Sequence, residues 1–234
     1  MPPQTAGLPI VRSWFVTGTD TGVGKTVAAT AFVHRLRAAG LRTAGMKPVA
    51  SGCARAPEGL RNEDALALQA ASEPRPDYDD VNPYALEIAT APQLAARAMG
   101  VRVALPVLLA AHARLAAQAD AVVVEGAGGW LAPMDEGLDQ SALARAIDAP
   151  VLLVVGLRLG CLNHARLSAR AILADGLPFA GWIGSSIDPA FAERDDYLAM
   201  LREALPAPCL GVLPHAPGAD AAAMAGHLDI AAIL

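Results

Sequence analysis

The stretch Trp14-Phe15-Val16-Thr17-Gly18-Thr19-Asp20-Thr21-Gly22-Val23-Gly24-Lys25-Thr26 limits what this chain can fold into more than any other. Trp14, Phe15 and Val16 read as a buried strand, and Gly-Lys-Thr opens a helix. Gly18, Gly22 and Gly24 let the intervening backbone turn its N–H groups toward one point. Such N–H groups, backed by a helix N-terminus, form an anion site without side chains. Lys25 adds a mobile point charge for outer phosphates, and the Thr26 hydroxyl is a hard oxygen ligand suited to Mg²⁺. Strict phosphate-loop spacing would place glycine at Thr19; here it falls one residue earlier, at Gly18. A plain strand-to-helix connection needs neither the lysine nor the run of glycines, so the stretch reads as a nucleoside triphosphate site.

The rest of the chain alternates in the same way. Arg42–Met46 reads as a second strand that delivers Lys47, Ala121–Val124 as one that delivers Glu125, and Val151–Val155 as a strand covered on both faces. Phe179–Gly184 and Cys209–Leu213 continue the series, with helices predicted after Gly24, from Asp64 to Ser72, from Pro106 to Gln118, from Asp139 to Ile147, after Gly160 and around Arg194–Leu205. Strand and helix in alternation predict an α/β protein built on a doubly wound, mostly parallel sheet of the P-loop NTPase kind. Residues 1–12 are expected to form a loose extension, and 13–234 a single P-loop α/β domain. The proline- and aspartate-rich stretch from Pro74 to Pro92 reads as an extended excursion.

Composition excludes several classes. The chain carries a net charge of −5 with scattered arginines, which argues against a nucleic-acid surface. Mean hydropathy is +0.37, yet no apolar run approaches the ~18 residues that a membrane span requires. A cytoplasmic protein is expected, and Cys53, Cys161 and Cys209 show no metal spacing or paired framework. The five histidines are scattered. The chain holds 18 basic residues, and the only lysines are Lys25 and Lys47. Lysine is a compact point charge where arginine is a planar fork. In open parallel sheets ligands sit beyond the carboxyl ends of the strands, so both lysines are expected to face one crevice.

Two carboxylates fall at the same edge. Asp64 suits either the first turn of a helix or a metal ion. Glu125, beside apolar residues, needs a partner, either a metal ion or an arginine. Gly160–Asn163 form a second candidate anion site at a helix start, where Cys161 reads as a small first-turn residue rather than a nucleophile.

Six blocks in order carry more than a generic phosphate loop: 18–26, Lys47-Pro48-Val49-Ala50-Ser51-Gly52, 59–65, Val81-Asn82-Pro83-Tyr84, 124–130 and 159–164. Together they resemble dethiobiotin synthetases over nearly the whole chain, the shifted glycine included. The resemblance implies homodimers that use ATP, Mg²⁺ and carbon dioxide to close the ureido ring of dethiobiotin on diaminopelargonate. It implies that Lys25 holds phosphates and Lys47 the carbamate and migrating phosphoryl group, with Thr26, Asp64 and Glu125 around Mg²⁺. Nucleotide contacts are implied at Gly22, Val23, Gly24, Lys25, Thr26, Val27, Asp64, Glu125, Gly126, Ala127, Gly128, Ser185, Ser186, Pro214 and His215. Thr21 and Ser51 would hold the carbamate end, and Gly160, Cys161, Leu162 and Asn163 of the partner subunit the substrate's carboxylate tail.

Two departures stand out. Gly22 replaces a glutamate of some relatives, and Ser185-Ser186 replace an Asn-Asp beside the purine base, which predicts looser base choice and use of triphosphates such as CTP. Two rival readings make different demands. A P-loop switch of the partitioning type has a second lysine where Asp20 stands, and a ligase acting on a carboxylate needs no Lys47 followed by Ser51.

Overall fold

A computed structural model describes residues 11–234. Residues 1–10 of the expected extension lie outside that range, and Arg12 already belongs to the first strand. Six parallel strands make the central sheet: β1 (Arg12–Gly18), β2 (Thr43–Met46), β3 (Ala121–Gly129), β4 (Val151–Gly156), β5 (Phe179–Ser185) and β6 (Cys209–Leu213). Their order is β6-β5-β4-β1-β3-β2, which puts the strand carrying the phosphate loop between β4 and β3.

Alternation along the strands feeds two cores. Trp14 and Val16 of β1, Val123 of β3 and Val154 of β4 pack on one face against α1 (Lys25–Ala38), α2 (Glu63–Ala71) and the segment 221–233. Trp14 meets Phe32 of α1 edge to face at 5.4 Å. Phe15, Val122 and Val124 point the other way, toward α3 (Leu105–Ala116). Leu153, Val155 and Trp182 do the same against α4 (Cys161–Ala174) and α5 (Arg194–Ala204). With helices on both faces, every central strand is buried on both sides, which is why these strands read as continuous apolar runs. No helix among the described residues is long and apolar enough to cross a membrane.

Two irregularities shape the crevice. Glu125 sits opposite Val16 in the ladder, while the next pair is Gly18 with Gly129. Gly126, Ala127 and Gly128 therefore bulge out opposite Thr17 alone, at the carboxyl edge of the sheet. A side chain at Gly126 would force Gln140 to move, because a Cβ there would come within 2.2 Å of the Gln140 amide oxygen and 3.0 Å of the Phe15 ring.

The second irregularity corrects the sequence reading. The stretch from Pro74 to Pro92 is not an extended excursion; it forms a helical turn at Tyr78–Val81 and a strand at Tyr84–Leu86 that pairs in parallel with Val49–Ser51. Tyr78 is the anchor: its buried hydroxyl accepts from the Asn62 N–H at 2.8 Å and donates to Asn82 Oδ1 at 3.1 Å. Asn82 in turn donates to the Lys47 carbonyl at 2.7 Å, and the Lys47 N–H donates to the Val81 carbonyl at 2.7 Å. Between these elements, Ala54–Ala56 and Gly59–Arg61 form an antiparallel hairpin.

Candidate functional site

The phosphate loop closes at Gly24, the cap of α1, with φ +83°. The positive φ favours glycine here, and a Cβ at Gly24 would lie 2.6 Å from Ser185 Oγ and displace that hydroxyl. The loop is held in shape by Asp20: its carboxylate accepts from the Thr21 N–H at 2.7 Å and from Arg158 at 2.6 Å. The Lys25 ammonium donates to the Asp20 carbonyl at 2.8 Å, inside the turn where phosphates are expected. Burial first, then the neighbouring Lys47 charge, lowers the Lys25 pKa to about 8.

Lys47 leaves the end of β2 with its side chain 6% exposed and stands between two carboxylates, Glu125 Oε1 at 2.6 Å and Asp64 Oδ2 at 2.9 Å. Burial opposes its charge, but those two carboxylates hold the ammonium above the ordinary lysine value. Asp64 lies in the first turn of α2, whose cap is the Asn62 side chain accepting from the Asp64 and Ala65 N–H groups. Burial works against the Asp64 charge too; Lys47 outweighs it and holds the carboxyl below its usual range. Glu125 is fully buried on β3, where Thr26 donates to its Oε1 at 2.9 Å and its Oε2 has no partner. Of the two partners open to Glu125 from sequence, arginine is thus not the one present; a lysine and a hydroxyl are.

Thr26, Asp64 and Glu125 bring a hydroxyl and two carboxylates to one point, and Glu125 Oε2 is an orphaned buried acceptor. Leaving such an atom unpaired is costly. This hard oxygen set suits Mg²⁺, which takes few protein ligands and completes its octahedron with water and phosphate oxygens. Among the described residues no group of three or more His, Cys, Asp or Glu side chains is placed to hold a metal ion.

These groups line one cleft of about 830 Å³, together with Thr21, Gly22, Val27, Ser51, Ala127 and Gly128. Lys25 and Lys47 share it, as expected from their strands. It is also lined by Ala89, Thr90, Ala91 and Pro92 with Ala132 and Pro133, residues that the sequence reading did not single out. They are small and uncharged, and no local pattern marks them.

The other expected site residues, Val23, Gly126, Ser185, Ser186, Pro214, His215 and Gly160–Asn163, are not among those that line this cleft. Val23 is buried under the loop. Ser185 packs against Gly24, and Ser186 Oγ is buried without a partner. His215 Nδ1 lies 3.2 Å from the Ser186 carbonyl, next to Pro214 at the end of β6. Gly160 caps α4 with φ +94°, ahead of Cys161, Leu162 and Asn163. The Cys161 thiol is buried and pushed up in pKa by that burial, in keeping with a packing role.

A parallel sheet wound on both faces, with this loop between its first strand and α1, defines a P-loop nucleotide-binding α/β protein. A family model described as an AAA domain matches residues 12–223. Among solved structures, the MinC:MinD cell division protein complex of Aquifex aeolicus superposes with a TM-score of 0.55 at 15% identity, covering 88% of this chain and 82% of that one. The signal recognition particle receptor FtsY of Elizabethkingia anophelis gives 0.53 at 16%, covering 94% and 65%. At such identities the likeness concerns the fold alone. Sequence relatives are more specific. The chain is 57% identical over 218 residues to an ATP-dependent dethiobiotin synthetase of Xanthomonas euvesicatoria, covering 93% of this chain and 97% of that protein. It is 58% identical over 219 residues to one of Xylella fastidiosa, with the same coverage. This chain belongs to the ATP-dependent dethiobiotin synthetase family.

Proposed function

We propose that this protein is a dethiobiotin synthetase in which Lys25 and Lys47 carry the chemistry within a single P-loop domain spanning 13–234. Its substrates are diaminopelargonate, carbon dioxide and ATP. One substrate amine adds to carbon dioxide and loses a proton, giving a carbamate. A carbamate oxygen then attacks the γ-phosphorus and ADP leaves, forming a carbamic-phosphoric anhydride. The second amine attacks the carbamoyl carbon and loses a proton as phosphate departs, and the ureido ring closes.

Phosphoryl transfer asks the protein for position and charge rather than covalent help. Lys25 would exchange the Asp20 carbonyl for the phosphates, since its donors already point into the loop. Lys47, buried beside the same cleft, would neutralise charge on the carbamate and on the migrating phosphoryl group. Thr21 and Ser51 hydroxyls would hold the carbamate end. Thr26, Asp64 and Glu125 would hold Mg²⁺, which when bound supplies charge neutralisation at the phosphate oxygens. The carboxylate tail would dock on the helix-start N–H groups of Gly160, Cys161, Leu162 and Asn163 of the partner subunit, making the cytoplasmic enzyme a homodimer with shared sites. The purine base would lie by Ser185, Ser186, Pro214 and His215.

The observation that carries this reading is the convergence of both lysines of the chain on one cleft, with three hard oxygen ligands beside them. The test is phosphate release with product detection by mass spectrometry. Release requires diaminopelargonate and bicarbonate together, with dethiobiotin accumulating in step. Hydrolysis that ignores both and responds to DNA or lipid would overturn the proposal.

A further inference from the structure

Lys47 has two jobs to reconcile. For catalysis its ammonium must be free to meet the reacting groups, yet here Glu125 and Asp64 each take one of its donors, at 2.6 and 2.9 Å. These are the same two carboxylates that, with Thr26, make up the metal-ligand set. Glu125 Oε1 accepts from Lys47 and Thr26 together, so the ammonium sits directly beside the third ligand.

The charges explain the arrangement. Lys25, Lys47, Asp64 and Glu125 form a neutral group of two cations and two anions, of which Lys25, Lys47 and Glu125 are buried and the Asp64 side chain is 41% exposed at the cleft. Removing one member of a buried pair leaves an uncompensated charge, which is strongly unfavourable. A divalent cation arriving alone would meet two ammonium groups in the same cleft. Arriving with a triphosphate, its charge is more than matched.

We infer that Lys47 is the resident cation of this site: it closes the Asp64–Glu125 position to free divalent metal until a metal–nucleotide complex displaces it. Displacement returns its donors to the cleft, where the reacting groups would lie. The inference rests on the reading of Thr26, Asp64 and Glu125 as the metal ligands.

Mn²⁺ serves as the probe, titrated into nucleotide-free protein and followed by electron paramagnetic resonance. Wild type and Lys47→Arg, which keeps the charge, are expected to bind it weakly. Lys47→Met leaves two carboxylates short of a cation and is expected to bind at least about tenfold tighter, because the buried charge now needs a partner. Adding Glu125→Gln to Lys47→Met removes that gain. If Lys47→Met does not fold, Lys47→Gln replaces it in the same titration.

A second measurement needs no variant. Because the chain has only two lysines, protein labelled with ¹⁵N at lysine Nζ gives two side-chain signals. Mg²⁺ alone leaves the Lys47 signal in place, whereas Mg²⁺ with β,γ-methylene ATP moves it. Equal Mn²⁺ affinity in wild type and the neutral variants, or a Lys47 signal that Mg²⁺ alone shifts as far as the nucleotide complex does, overturns the inference. Binding of Mn²⁺ with the same ATP analogue to Asp64→Asn separates the two levels. Unchanged affinity defeats the ligand assignment itself. Weakened affinity, with no gain on neutralising Lys47, defeats only the placeholder role.

Discussion

Lys47→Arg is the substitution that most directly tests how the site works, because it keeps the charge and changes its shape. The native ammonium lies 2.6 Å from Glu125 and 2.9 Å from Asp64, on a side chain 6% exposed. A guanidinium is planar, larger, and matches carboxylates with a fixed fork. Placed between Glu125 and Asp64 it stays paired with them and cannot turn a compact charge toward the migrating phosphoryl group. Under the proposed function, the lost interaction is one preorganised, charge-assisted hydrogen bond, of the kind worth about 2.7–4 kcal/mol in the transition state. That corresponds to a kcat loss of at least about a hundredfold. KM for ATP should change little, because under the proposed function the loop amides, Lys25 and Thr26 would hold the phosphates. The assay is steady-state dethiobiotin formation at saturating substrates, with a thermal melt to verify folding. A folded variant that retains kcat within about tenfold of wild type would remove Lys47 from the centre of the reaction.

Two further outcomes are expected. Ser186 offers a short, unpartnered hydroxyl at the end of β5, and Ser185 is turned onto the phosphate loop. CTP should therefore support turnover with kcat/KM less than about a thousandfold, roughly 4 kcal/mol, below ATP, and stronger rejection refutes the idea of loose base reading. His112 of α3 is held below its ordinary pKa by burial, with its Nε2 2.9 Å from Ser13 Oγ. The unfolded chain then binds more protons than the folded one as pH falls below about 6.5, so this residue's share of stability is present above that value and is lost toward the lower, folded-state pKa. Tm should fall less steeply between about pH 7 and 5 in His112→Gln than in wild type, and parallel Tm curves would refute it.

Much of the cleft's lining was legible in the chain because it is built from local rules. A strand that ends in glycines and Lys-Thr makes its own anion site, whatever surrounds it. The placement of Lys47 at the end of β2 and of Glu125 on β3 follows from apolar runs that only a sheet covered on both faces can use. The excursion between Pro74 and Pro92 shows the limit of that logic. Its prolines and aspartates signal irregularity, but the turn at Tyr78–Val81 exists because Tyr78 and Asn82 bond to Asn62 and to the Lys47 carbonyl, residues up to 35 positions away.

Sequence alone determined which groups exist and at which ends of which strands they emerge, since periodicity and glycine placement are read within a few residues. Tertiary structure decided what those groups do to one another. Strand order set Glu125 within reach of Thr26 at a separation of 99 residues and of Lys47 at 78. The resulting hold of two carboxylates on one ammonium depends on a few tenths of an ångström in a buried cleft, and no pattern along a chain encodes distances of that kind.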